Sequence, residues 1–133
     1  MSKKPLFPHG FPRKGEVYLV DFNRKREKEI FKIRPVLVVS SNLQNEYDKQ
    51  ILVVPISAEE ELTKEEIKLL SVFAVPVSPS HGTGLKRESR ILLHRIRAIH
   101  KGKPRMLEYL GEASPKIMQQ ASSVLKIVLE LEN

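Results

Sequence analysis

Two short apolar runs constrain this chain most. Val36-Leu37-Val38-Val39 and Ile51-Leu52-Val53-Val54 are unbroken by charge and rich in β-branched residues, which suits strands covered on both faces. Such strands belong at the centre of a sheet. GEVYLVDF over residues 15–22 reads as a neighbouring strand, and the second run extends as ILVVPIS to Ser57. Residues 71–77 (SVFAVPV) and 90–99 continue the β signal, with the turn-rich SPSHGTG between them. Proline cannot donate to a ladder, so Pro76 implies an edge strand or a bulge.

Two stretches read as helix. Thr63 and Glu66 have capping-box spacing ahead of Ile67, Leu69 and Leu70, so a short helix is predicted from Thr63. Ser114 can cap a second helix with Pro115 at its first position; Ile117, Ala121, Val124, Leu125 and Val128 then form one apolar stripe. Roughly fifteen residues give about 23 Å, enough to cross a small sheet. Strands first and a long amphipathic helix last describe an α+β fold, a twisted, mainly antiparallel sheet with a helix packed on it.

The chain has 133 residues, the size of one ordinary domain. Lacking cysteine, it has no disulfide framework, thiolate nucleophile or sulfur-based metal site, and a cytoplasmic location fits. Residues 1–14 carry charge without a continuous apolar stretch, so neither a signal peptide nor a membrane span is expected there; residues 1–12 are expected to form a flexible basic N-terminus. A formal charge of +7 and a pI near 9.7 favour a polyanionic partner such as nucleic acid or an acidic protein. The charge gathers in three places: before the first strand, in the loop of Arg24, Lys25, Arg26, Lys28 and Lys32, and between Lys86 and Arg105. Each could be only a solvated surface, but three clusters beside strand ends suggest a groove.

Three residues stand out for chemistry. Arg34 precedes Pro35 at the mouth of the first apolar run, where a guanidinium offers a planar fork of donors matched to phosphate oxygens; it could equally form an ion pair that pins the strand. Ser57 ends the second run and could be a strand-end cap or a phosphate donor. Glu29 lies five residues before Arg34 and could pair with Lys28 or Lys32, or act as a base.

With these residues placed, the chain resembles the MazF/PemK toxins of bacterial toxin–antitoxin pairs, mostly small ribonucleases. The resemblance spans roughly residues 12–130. Arg34-Pro35 matches the family's RP pair, whose arginine is catalytic; Ser57 falls where the family has a serine or threonine beside it; Glu29-Ile30 matches an element ahead of the pair. GLKRESRILLHRIRAI, residues 84–99, fits a third block through Gly84, Leu85, Ser89, Leu92, Leu93, Ile96 and Arg97. The resemblance implies a small curved barrel-like sheet, a homodimer, an acidic cognate antitoxin, and metal-independent cutting of single-stranded RNA without a cofactor. In that reaction the 2′-OH attacks the adjacent phosphorus, with Arg34 and Ser57 on the phosphate and Glu29 as base. Lys28, Phe31, Lys32, Arg87, Arg95 and Arg97 are the candidate RNA contacts. Readings of another class are a toxin of the same fold that binds DNA gyrase, which does not need the Arg34 and Ser57 pair, and an inactive module that binds RNA or antitoxin.

The chain also departs from the family. The loop around Glu29 reads NRKREKEIFKI where small residues and glycines are usual, and His94 and Arg95 replace an acid and a glutamine. His94 and His100 would share a strand face only if residues 90–99 ran unbroken. The four histidines lack metal-ligand spacing. Glu59, Glu60, Glu61, Glu65 and Glu66 read as a solvated helix with a Glu60–Lys64 pair, the alternative being a segment folded over the basic groove.

Overall fold

The computed structural model describes residues 4–22 and 33–132. Among these residues seven strands and three α-helices follow in the order β1 (Glu16–Asp21), β2 (Ile33–Val38), α1 (Asn42–Tyr47), β3 (Gln50–Ala58), α2 (Lys64–Leu70), β4 (Ala74–Val77), β5 (Ser89–Leu92), β6 (Arg97–His100), β7 (Met106–Glu112) and α3 (Pro115–Val128). The sheet order is β4-β5-β3-β2-β1-β7, with β6 on the same side of β3 as β5, and every pairing is antiparallel. Among the described residues the sheet does not close into a ring. β2 and β3 lie at its centre, as their apolar runs require, and β4 with Pro76 lies at an edge, where the missing N–H costs no ladder bond.

Alternation along the central strands divides the core between the two faces of the sheet. Val17, Leu37, Val54 and Ile56 point to the face covered by α3 through Ile117 and Ala121. Tyr18, Val20, Val36, Val38, Ile51 and Val53 point to the other, where Leu6, Phe7, Phe22 and Tyr109 pack. Both predicted caps form: Thr63 and Glu66 make the reciprocal capping box of α2, and Ser114 accepts from the Ile117 N–H with Pro115 in the first turn of α3.

Three sequence expectations are corrected. The strand at residues 71–77 is shorter, because α2 runs to Leu70 and a turn precedes Ala74. The strand at 90–99 is broken: from the Ile56–Ile91 pair to the Val53–Arg97 pair β3 advances three residues while its partner advances six, so the excess loops out around His94. Leu93 is thereby sunk into the α3-side core, while Arg95 is turned outward. His94 packs on Phe73 at 5.2 Å, whereas His100 is an exposed residue of β6, so the two do not form a pair on one continuous strand. Third, Glu60 pairs with Arg87 rather than Lys64. Strand β7 and helix α1 went unforeseen. In β7 the period of two is blurred by shifts in register against β1.

Candidate functional site

Arg34 and Ser57 are brought together by the register of β2 and β3. Val36 lies opposite Pro55, so continuing the ladder by two residues sets Arg34 against Ser57. Both are also on the same face as Val36 and Val53, because side chains two apart share a face. The Arg34 Nη1–H donates to Ser57 Oγ at 3.1 Å. Ser57 is 6% exposed and Arg34 half-buried. A hydroxyl that accepts from a guanidinium keeps its own proton to donate, so the two present several donors to one outside oxygen. Among the described residues no histidine or carboxyl group hydrogen-bonds to Ser57, so nothing there activates it as a nucleophile.

The pair opens into a cavity of about 320 Å³. Arg95 and Arg97 line it, Arg95 by the break after β5 and Arg97 from the start of β6. The Arg97 guanidinium lies 4.4 Å from the centre of the Phe22 ring, a cation–π contact that presents an aromatic and a charged plane together. Glu61 and Glu66 also line this cavity, with Leu62 between them in sequence. The acidic segment therefore lies against the basic cluster: Arg90 Nε donates to Glu59 Oε2 at 2.8 Å, and Arg87 pairs with Glu60. Sequence reasoning treated these glutamates mainly as a solvated face. The turn that leads to Glu61 is joined to the basic cluster by ion pairs spanning about thirty residues of chain, which no local pattern records.

Arg87 is placed elsewhere. Together with Lys86 and Leu85 it lines a second cavity, of about 500 Å³, which also reaches Arg34 and Glu61. Glu29, Lys28, Phe31 and Lys32 lie outside the described residues. Burial, and secondarily the nearby Arg95 charge, push His94 below the ordinary histidine range, so its ring is neutral at neutral pH. Among the described residues no group of three His, Cys, Asp or Glu side chains could hold a metal ion, and no helix is long and apolar enough to cross a membrane.

An arginine at a strand mouth, bonded to a buried serine and opening into a cavity lined by two more arginines, presents positive charge and a fork of donors of the kind that match an oxyanion. Residues 13–129 match the family described as PemK-like, MazF-like toxin of type II toxin–antitoxin system, and the chain belongs to that family. It is 30% identical over 119 residues to a protein named Endoribonuclease MazF from Staphylococcus saprophyticus, covering 90% of this chain and 92% of the relative. To Endoribonuclease EndoA of Bacillus subtilis it is 27% identical, covering 90% and 95%. Among solved structures, a MazE–MazF complex from Deinococcus radiodurans shares the fold with a TM-score of 0.70 at 21% identity, covering 91% of this chain and 97% of that one. A mycobacterial endoribonuclease in complex with its cognate antitoxin does so with a TM-score of 0.66 at 23% identity, covering 92% and 96%.

Proposed function

We propose that this protein is the toxin of a type II pair and acts as a metal-independent endoribonuclease on single-stranded RNA. The observation that carries this is the Arg34–Ser57 hydrogen bond within an arginine-lined cavity. The ribose 2′-oxygen bonds to the adjacent phosphorus, the bond from phosphorus to the 5′-oxygen breaks, and the products are a 2′,3′-cyclic phosphate and a 5′-hydroxyl. The 2′-OH gives its proton to a base, for which Glu29 is the proposed group, and the leaving 5′-oxygen takes one up from a donor, for which Arg34 is the proposed group. Arg34 stabilises charge on the phosphoryl oxygens and Ser57 orients the phosphate. Lys28, Phe31, Lys32, Arg87, Arg95 and Arg97 hold the strand on either side.

Relatives named as endoribonucleases support this reading over a gyrase-binding toxin. The positive charge favours an acidic antitoxin as partner, a homodimer as the working form follows from the family resemblance, and RNA as substrate accords with a cytoplasmic site of action. The test is cleavage of an RNA oligonucleotide in excess chelator, beside the same oligonucleotide with deoxyribose at the cleaved nucleotide. Cutting of the first alone is expected. Activity that vanishes with chelator and returns with magnesium would overturn the mechanism.

A further inference from the structure

The cavity beside Arg34 has two chemically different sides. Arg34, Ser57, Arg95 and Arg97 suit the RNA backbone, but Glu61 and Glu66 also line the cavity, and a phosphate set directly against those two carboxylates would be repelled. The Glu66 carboxyl and the turn that carries Glu61 are each tied to the rest of the fold. The 3-10 turn Glu59–Glu61 is tethered by Arg90 to Glu59, by Arg87 to Glu60, and by the Glu59 N–H to the Glu88 carbonyl at 2.9 Å. Glu66 is fixed by its capping box, the Thr63 N–H donating to Oε1 at 2.9 Å. Around them lie Leu62, Leu92 and Pro55, with Phe22 under the Arg97 guanidinium. The space is of a size that takes a small ligand, with apolar and aromatic side chains on its walls beside the arginines and two carboxylate acceptors, Glu61 and Glu66.

We propose that this is a nucleobase pocket, in which Glu61, supported by Glu66, selects a base whose exposed edge carries amino donors. This rests on the nuclease reading of the Arg34–Ser57 site. Unstacked RNA bases are read by stacking on aromatic and guanidinium planes and by bonds to their Watson–Crick edges, and a carboxylate accepts from exocyclic amino groups. Guanine presents N1–H and N2–H side by side to such an acceptor and fits best. Uracil presents one N–H between two carbonyl oxygens, which face the carboxylates unfavourably, and fits worst. Glu61 and Glu66 are thus specificity-determining residues.

Cut sites in a randomised RNA library would be mapped for the wild type, Glu61→Gln and Glu66→Gln, with melting temperatures alongside. The wild type should favour guanine over uracil at one position next to the cleaved bond. Glu61→Gln introduces an amide donor that suits the uracil carbonyls, so the guanine-to-uracil ratio there should fall about tenfold, as for loss of one good base contact. Glu66→Gln preserves the capping box and should shift the ratio in the same direction. Identical base ratios in all three proteins would overturn the pocket. If the wild type cuts no RNA, the nuclease reading fails and the pocket is judged by binding of hexamers differing only by one guanine or uracil. A guanine preference that Glu61→Gln removes sustains it; equal affinities overturn it.

Discussion

The Arg34 Nη1–H reaches Ser57 Oγ at 3.1 Å across two central strands, joining residues 23 apart in the chain. The charge of one and the buried hydroxyl of the other are therefore fixed relative to each other before any ligand arrives. Preorganised donors of this kind act mainly where charge develops in a transition state.

Arg34→Lys keeps the charge and loses the fork, so it should retain much of the RNA affinity while the single-turnover cleavage rate falls about 100- to 1000-fold. Ser57→Ala should lose rate in the same way, and Ser57→Thr should remain active. Melting temperatures decide the interpretation. Rate losses that simply follow unfolding, or near-normal rates in Arg34→Lys and Ser57→Ala, would give the pair a structural role only.

RNA binding should weaken steeply with salt, because Arg34, Arg95 and Arg97 line one cavity. For about five phosphate contacts, a slope near 0.7 per contact gives roughly a hundredfold loss between 50 and 200 mM salt. Affinity measured on a noncleavable 2′-deoxy strand checks this, and a flat response would argue against a polyanion groove.

Alkaline pH should destabilise the fold through Tyr18. Its hydroxyl donates to the fully buried Glu16 at 2.8 Å, and Glu16 also bonds the Arg13 N–H at 2.7 Å and His9 Nδ1 at 2.6 Å. Burial first, then the Glu16 hydrogen bond, raises the Tyr18 phenol above the ordinary tyrosine range. An unfolded tyrosine loses its proton above about pH 10, while the folded one keeps it. The native state then binds more protons, and stability falls as pH rises, by up to about 1.4 kcal/mol per pH unit for one such group. Tyr109 is raised in the same direction, chiefly by burial. Urea midpoints from pH 8 to 11 should decline for the wild type and more gently for Tyr18→Phe; parallel curves would count against the assignment.

Much of this architecture was legible in local sequence because local physics decides it. The β-branched runs of β2 and β3, the Thr63–Glu66 box and the Ser114–Pro115 start all form where expected. What the sequence left open is register. The residues by themselves mark Arg34 and Ser57 individually, and only the family resemblance sets them side by side; that they touch depends on Val36 meeting Pro55, and a slip of one residue would turn either side chain to the other face. The break at His94 is hidden for the same reason, since excess residues are visible only against a partner strand. Glu61 lies beside the cavity at the end of a turn whose Glu59 and Glu60 pair with Arg90 and Arg87, contacts that exist only after β3 and β5 have met.

Gly84 offers a test of how tightly the turn before β5 is held on β7. Its φ of +78° is left-handed, and a Cβ there would fall 2.1 Å from the Leu110 carbonyl oxygen and 2.7 Å from its carbon, both backbone atoms. Gly82 has a similar φ of +76° with nothing within 4 Å of such a Cβ. Alanine at either position incurs the left-handed backbone cost of about 1–2 kcal/mol. Only Gly84→Ala must also displace β7, whose partner β1 carries Tyr18 and Val20 in the core. Gly82→Ala should therefore lower the melting temperature by several degrees, and Gly84→Ala should lower it much further, or prevent folding, since about 1 kcal/mol corresponds to roughly 4 °C at this size. Equal shifts in calorimetry would mean that the Leu110 contact relaxes at little cost and that this turn is held only by its backbone conformation.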